Sequence, residues 1–264
     1  MIYNFPRKKK NKITNYLTFS SPDPFSISVA TPGWNGKLYC STDTETWAEW
    51  TGTEVNATEV GGTYALYFGG TGNTKITGGF SNKWTLSGSS ISCTGNIESL
   101  LDYEIVAAGQ HPMMANNCYS DMFYGCSSLT TAPSLPATTL ANNCYSSMFY
   151  GCTSLTTAPS LPATTLANNC YSSMFRSCTS LTTAPSLPAT TLAISCYSSM
   201  FRDCTSIKLA ISKSSEYDKE YRIPKLGNGV TATSALNNMF RATGGTFTGT
   251  PSINTTYYTS NTIV

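Results

Sequence analysis

The hydrophobic positions of this chain recur with a 26-residue period through its middle part. Three complete units fill 115–192, and a fourth departs from the pattern after Ile207. A weaker fifth copy covers 235–245. The four main units begin at Ala115, Ala141, Ala167 and Ala193. A repeat of this length is typical of architectures in which each unit buries its hydrophobic face against the next one.

The second unit shows the pattern inside each copy. Pro159 and Pro162 exclude a helix from its second half, so the pattern predicts a helix over 141–152. On such a helix five hydrophobic side chains fall within an arc of about 140°. The residues that follow predict a short strand whose Leu155 and Ala158 point inward. Each unit is therefore predicted to be one strand and one helix. The five side chains of the arc are Cys144, Tyr145, Met148, Phe149 and Cys152.

Three other segments flank the repeats. Alternating β-branched and aromatic runs, separated by Gly-rich turns, predict an antiparallel, sandwich-like β domain over 16–103. Residues 1–15 are predicted to be a basic anchoring arm. Residues 208–264 are predicted to contain an insertion, a degenerate capping repeat and an extended C-terminal segment.

The order of residues across the middle of a unit resembles that of the BspA-like leucine-rich repeat family. The residues that carry the resemblance in the second unit are Phe149, Gly151, Cys152, Ser154, Leu155 and Pro162. Proteins of that family occur on gut bacteria and in the phages that infect them. The resemblance implies a leucine-rich-repeat-type solenoid over 104–207 and a role in adhesion or display. The fold class predicted for the chain is therefore α+β, a β domain followed by this solenoid.

Charged residues make up 11% of the chain, less than half of the roughly 25% that soluble domains carry. Five positive charges lie within the first dozen residues and leave a net charge of −3 for the remainder. They belong to Arg7, Lys8, Lys9, Lys10 and Lys12. The arm can be a solvated tail, a nucleic-acid contact or an anchor that binds a protein partner. Nucleic acid is the least favoured of the three, because the remainder carries no matching basic face.

Little in the sequence predicts catalysis. His111 is the single histidine, and a Ser-His-Asp or Cys-His arrangement would require it. A surface or capping role is the simpler interpretation. We therefore expect no enzyme and no cofactor. Only four charged side chains lie between Ile105 and Ile207, namely Asp121, Arg176, Arg202 and Asp203.

Eight of the ten cysteines fall in two series, each with one member per unit. The first series is Cys118, Cys144, Cys170 and Cys196, and the second is Cys126, Cys152, Cys178 and Cys204. Zinc sites commonly use pairs separated by two to four residues. The two cysteines of one unit lie eight positions apart, so we expect no metal site. Buried, reduced thiols acting as small apolar side chains are the favoured interpretation, and a disulfide between units is the alternative.

One position changes between units while the core residues stay fixed. The residue after the repeated phenylalanine is Tyr124, Tyr150, Arg176, Arg202 and Arg241 in successive copies. It falls outside the apolar arc, so packing does not dictate it. Drift of a solvated face is the simplest interpretation. Because Tyr and Arg contribute strongly at contact surfaces, the alternative is a contact stripe for a glycan or another subunit.

Together these observations predict a non-enzymatic structural display protein. No apolar stretch of the signal-peptide type follows the basic residues, and none is long enough to span a membrane. We therefore expect a phage virion protein, a head fibre or decoration protein, which assembles in the host cytoplasm and lies on the virion surface. Its arm would bind the capsid or other virion proteins, and its repeats would contact host surface polysaccharide, as a homo-oligomer. The alternative is a BspA-like adhesin on a bacterial cell surface.

Overall fold

The computed structural model describes residues 13–264. This part of the chain is mainly β-sheet, with one α-helix, α1 (Ser99–Ala107), and one 3₁₀ helix (Phe80–Asn82). The strands are β1 (Leu17–Ser21), β2 (Ser26–Ser28), β3 (Lys37–Ser41), β4 (Ala48–Trp50), β5 (Val55–Asn56), β6 (Thr58–Val60), β7 (Thr63–Thr71), β8 (Thr85–Ser87), β9 (Ile91–Thr94), β10 (Leu129–Thr131), β11 (Thr183–Ala184), β12 (Leu209–Ala210), β13 (Lys219–Arg222), β14 (Thr256–Thr259) and β15 (Thr262–Ile263).

Two sheets precede the repeats. The larger one has the order β10-β9-β1-β7-β3-β4, with β6 beside β7, and the smaller one has the order β5-β2-β8. Alternate residues of β1, including Leu17 and Phe19, are buried, as the two-residue period of a strand requires. Trp84 packs against Phe19 and Phe68 in the core. Strand β10 belongs to the first repeat unit and pairs in parallel with β9, so the larger sheet reaches into the repeats.

The predicted helix of each repeat unit is absent. In the second unit, the backbone N–H of Ser146 donates to Asn143 O, three residues earlier. Every second residue after Ser146, as far as Cys152, donates its N–H in the same way to the carbonyl three residues before it. Asn143, Ser147 and Gly151 have φ values of 55°, 52° and 72°, in the left-handed region. The segment is thus a series of reverse turns in which every fourth residue is left-handed.

The remaining N–H groups of this segment bond to the next unit. Tyr145 N donates to Cys170 O at 2.9 Å, and Phe149 N donates to Met174 O at 2.9 Å. In each case the acceptor immediately precedes the residue that is equivalent to the donor in the following unit. Backbone donors therefore alternate between their own unit and the following one. We call the hydrogen-bonded units of 115–207, together with the copy at 234–242, the repeat stack.

The predicted α+β class, with a leucine-rich-repeat-type solenoid of strand–helix units, was therefore wrong. The hydrophobic residues of a unit recur at a step of four, as in Cys144, Met148 and Cys152. On an α-helix each step of four residues turns by about 40° beyond a full rotation, so such a pattern drifts around the axis. In a chain of turns the same step keeps all three residues on one side. The left-handed positions carry mostly Asn, Asp, Ser or Gly, and of these Asn, Asp and Gly adopt that conformation more readily than other residues.

The second half of each unit is extended but forms little regular strand. Leu155 and Ala158 are buried, which confirms their predicted inward direction. A parallel bridge joins Thr131 to Thr157. Further along, β15 pairs in parallel with β11, and β14 lies between β12 and β13. The C-terminal segment therefore packs back against the third and fourth units.

Two columns of stacked rings fill the interior of the repeat stack. Neighbouring ring centroids within each column lie 5.4–5.8 Å apart, with interplanar angles of 4–16°. Phe19 of the β region packs against one end of the second column and Tyr221 against the other. The first column is Tyr119, Tyr145, Tyr171 and Tyr197, and the second is Phe123, Phe149, Phe175, Phe201 and Phe240.

Candidate ligand-binding surface

The repeated cysteines lie inside the repeat stack and are unavailable to a ligand. All eight are buried, as predicted, and all are free thiols. The thiols of Cys152, Cys178 and Cys204 each donate to a backbone carbonyl of the preceding unit, as Cys152 Sγ does to Phe123 O at 3.1 Å. Burial raises the pKa of Cys126 and that of Cys204 to about 12. These groups therefore act as protonated, apolar fillers with one weak hydrogen bond.

The position that varies between units forms a third, outer line of stacked groups. The rings of Tyr124 and Tyr150 lie 4.5 Å apart at an interplanar angle of 10°. The guanidinium carbon of Arg176 lies 5.1 Å from the centroid of the Tyr150 ring. An aromatic pair is thus continued by a cation–π contact in the following unit.

The backbone register explains why these side chains meet. Gly125 N donates to Tyr150 O, and Gly151 N donates to Arg176 O, at 2.7 and 2.8 Å. Hydrogen-bonded backbones lie about 4.8 Å apart, which is close to the spacing of a stacked ring pair. Each equivalent side chain therefore rests on that of the preceding unit.

One carboxylate joins the two arginines at the far end of this line. Asp203 Oδ2 lies 3.3 Å from Arg176 Nε and 3.5 Å from Arg202 Nε. The side chains of the two arginines are 28% and 27% exposed. Two guanidinium groups and one carboxylate leave a net positive charge at this point.

The near end of the line is closed by two residues from outside the repeats. Phe80 lies edge-on against Tyr124, with ring centroids 4.9 Å apart. Lys83 Nζ lies 4.8 Å from the centroid of the Phe80 ring and 5.8 Å from that of Tyr124. We call the complete set the outer row. Its members are Lys83, Phe80, Tyr124, Tyr150, Arg176, Asp203 and Arg202.

Four of the five predicted contact residues thus come together in the outer row. Arg241 is exposed and follows them in backbone register, because Asp203 N donates to Arg241 O at 2.9 Å. Sequence reasoning missed Phe80 and Lys83, which belong to a turn that has no counterpart in the repeat units. The five basic residues predicted as an anchor, Arg7, Lys8, Lys9, Lys10 and Lys12, lie outside the described residues.

The hydroxyl group of Tyr124 remains a hydrogen-bond donor at neutral pH. Partial burial is the main cause that raises the pKa of Tyr124, and the neighbouring Tyr150 adds to it. The faces of the two stacked rings are occupied by each other, so their edges and hydroxyl groups are what a ligand can contact. The guanidinium groups add N–H donors in a fixed plane.

His111 lies at a separate cavity at the start of the repeats. Its Nδ1 is 2.8 Å from Oε2 of Glu98, a carboxylate that is only 1% exposed. The cavity has a volume of about 350 Å³ and is also lined by Pro112, Met114 and Leu140. Within residues 13–264, no group of three or more His, Cys, Asp or Glu side chains could hold a metal ion.

Comparisons with known proteins add no relative. No protein-family model, no curated protein and no solved structure matches the chain. The resemblance to BspA-like repeats therefore remains a prediction. In the part of the chain that the structure describes, no helix has the length and hydrophobicity needed to cross a bilayer.

Proposed function

We propose that this chain is a non-enzymatic display protein whose outer row binds polysaccharide on the surface of a host cell. The outer row is the observation that carries the proposal. It brings stacked aromatic rings, hydroxyl groups and guanidinium groups into one line on the surface of the repeat stack. Tyrosine and arginine side chains are common at contact surfaces, and here they offer ring edges, hydroxyl groups and forked N–H donors to a ligand.

The spacing of the row suits a ligand that itself repeats. Equivalent side chains occur once per unit, with contacts of 4.5 and 5.1 Å between neighbours. A polymer lying along the row can therefore make several weak contacts of the same kind. Weak contacts that act together give useful avidity without a deep pocket, particularly if several copies of the chain are displayed.

The order within the row reduces the cost of binding. Tyr150 is held between Tyr124 and Arg176, and Arg176 is also held by Asp203. Side chains that are already immobilised lose little conformational entropy when a ligand arrives. This property distinguishes the row from a surface of freely moving polar side chains.

The setting that we propose is a phage virion, in which the chain is a head fibre or decoration protein and forms a homo-oligomer. The resemblance to repeats found in gut bacteria and their phages supports this setting. Binding of the arm at 1–15 to the capsid or to another virion protein would place the repeat stack outward. Deletion of 1–12 should then prevent incorporation into particles while the remainder still folds.

Three measurements test the proposal. Tyr124→Ala combined with Tyr150→Ala should reduce binding of the purified protein to host cells at least about tenfold, with Tyr39→Ala, a half-buried tyrosine outside the row, as the control. Unchanged binding by the double variant would show that the row is not the contact surface. Particles that retain the protein without 1–12 would contradict the virion anchor. Labelling of the intact protein on bacterial surfaces would instead favour an adhesin.

A further inference from the structure

We infer that the ligand of the outer row is anionic, and that Arg176 and Arg202 together bind one of its carboxylate or phosphate groups. This inference rests on the proposed function and makes its ligand class specific. The two arginines lie in consecutive units and share a single carboxylate, that of Asp203. Their charges are therefore only half neutralised by the protein itself.

The hydrogen-bonding capacity of the two arginines is largely unused. Each guanidinium group carries five N–H donors. Asp203 is approached through the Nε atoms, and within residues 13–264 the terminal Nη atoms of both arginines make no hydrogen bond. The Nε atom of Arg202 is itself buried, and its 3.5 Å approach to Asp203 does not meet hydrogen-bond geometry. The terminal Nη donors can bind a planar or tetrahedral oxyanion in the forked arrangement that arginine favours.

The position of the two groups favours this use over simple solvation. Both side chains are nearly three-quarters buried, so water screens their charges less than it screens those of a freely exposed arginine. The guanidinium carbon of Arg176 also lies 5.1 Å from the centroid of the Tyr150 ring, so a cation–π contact restrains this side chain. The pair is thus arranged before the ligand binds.

An acidic polysaccharide fits the charge distribution better than a nucleic acid does. Residues 13–264 carry eleven basic and fourteen acidic side chains, a net charge of −3. A nucleic acid requires a continuous basic surface that neutralises many phosphates. The row offers a local positive site beside neutral rings and hydroxyl groups. Such a site suits a polymer whose negative charges are separated by neutral, hydroxyl-rich stretches.

Binding of defined polymers to the full chain tests the inference. The probes are polygalacturonate, its fully methyl-esterified neutral form, a glycerol-phosphate polymer and a duplex DNA. We expect one or both of the acidic polymers to bind, and to bind better than the neutral form. The two acidic probes distinguish a carboxylate from a phosphate as the recognised group. Arg176→Gln combined with Arg202→Gln should weaken this binding at least about tenfold, and Lys213→Gln, an exposed lysine outside the row, should leave it unchanged.

The variant Asp203→Asn separates ligand binding from a structural role of the arginines. Asparagine tolerates the left-handed backbone at this position, where φ is 63°. Removal of the competing carboxylate should strengthen binding of the acidic polymer about two- to fivefold. If the arginines served only to hold the surface together, the same change would weaken binding or leave it unaltered.

The possible failures of the two proposals can be told apart. Equal binding of the esterified and acidic polymers, with no effect of the double arginine variant, would overturn the anionic ligand while polysaccharide binding by the row stood. Preferential binding of DNA would also overturn it. No binding of any polysaccharide, together with wild-type attachment of the Tyr124 and Tyr150 double variant to cells, would overturn both.

Discussion

Replacement of Ser147 distinguishes the observed chain of turns from the helix that the hydrophobic pattern predicts. Ser147 is half-buried and has a φ of 52°. In a left-handed conformation, a residue with a β-carbon costs about 1–2 kcal/mol that glycine avoids. The greater entropy of glycine in the unfolded chain takes back about 0.5–1 kcal/mol. Ser147→Gly should therefore be more stable than Ser147→Ala by about 0.5–1 kcal/mol.

A helix would give the opposite order. In a helix interior, glycine is about 1 kcal/mol less favourable than alanine. The two backbone geometries thus differ in the sign of one measurable quantity, the difference in unfolding free energy between the two variants. Urea denaturation followed by fluorescence measures it, because the difference lies above the usual error of comparing midpoints at equal slope.

A matched position provides the control. Ser154 is also half-buried in the same unit, but it does not have a positive φ. There glycine should be less stable than alanine, by about 0.5–1 kcal/mol. If alanine proved more stable than glycine at both positions, the left-handed turns, and with them the alternating hydrogen bonds between units, would be refuted.

Three further predictions concern the interior of the repeat stack. Burial raises the pKa of the Cys126 and Cys204 thiols from 9.0 to about 12. Their contribution to stability is therefore complete below about pH 9 and is lost as the pH rises towards 12. The unfolding free energy should fall over that range, and it should fall more steeply than in a Cys126→Ala variant. A native thiol count with a disulfide reagent at about pH 8 should accordingly show the eight repeat cysteines only after unfolding, and their rapid reaction in the native protein would contradict their burial. Phe175 is fully buried between Phe149 and Phe201, so Phe175→Ala should lower the unfolding free energy by about 3–5 kcal/mol. Leu226→Ala, at a side chain that is 75% exposed, should change it by less than about 0.5 kcal/mol. Similar effects of the two variants would show that the ring column is not part of the core.

The repeat period and the burial of its hydrophobic residues could be read directly from the sequence. The period follows from identity between copies, and the inward side of each unit follows from the spacing of its hydrophobic residues. Leu155, Ala158 and the cysteines were assigned inward on this basis, and they are buried. The varying position likewise indicated an outer surface.

The backbone conformation of the units could not be obtained from the same pattern. Hydrophobic residues at a step of four fall on one side of a helix for about three steps, so a short segment satisfies both geometries. The distinguishing signal was the polar residue at every fourth position, as at Asn143 and Ser147. Such residues are common on helix surfaces too, and only their regular placement together with Gly151 favours the left-handed conformation.

Contacts between distant segments could not be predicted from the sequence either. Phe80 and Lys83 join the outer row through the way the β region packs on the first unit, which no local pattern encodes. The same holds for Asn261, whose side chain donates to Thr182 O and Ser206 O and so links the C-terminal segment to the third and fourth units.

The near identity of the units has a physical cause that also bears on the proposed ligand. Alternate backbone donors of the turns pair with carbonyls of the following unit, while each core ring rests on its equivalent in that same unit. Both conditions hold only if every unit keeps the same turns, so core positions such as Tyr145 and Phe149 have little freedom to change. The backbone of the outer-row residues must keep the hydrogen bonds between units, but their side chains lie at the surface and need not match those of the core columns. Replacement of Tyr by Arg between Tyr150 and Arg176 therefore alters the charge of the outer row without disturbing the stack beneath it. Under the proposed function, such changes would alter the ligand preference one unit at a time.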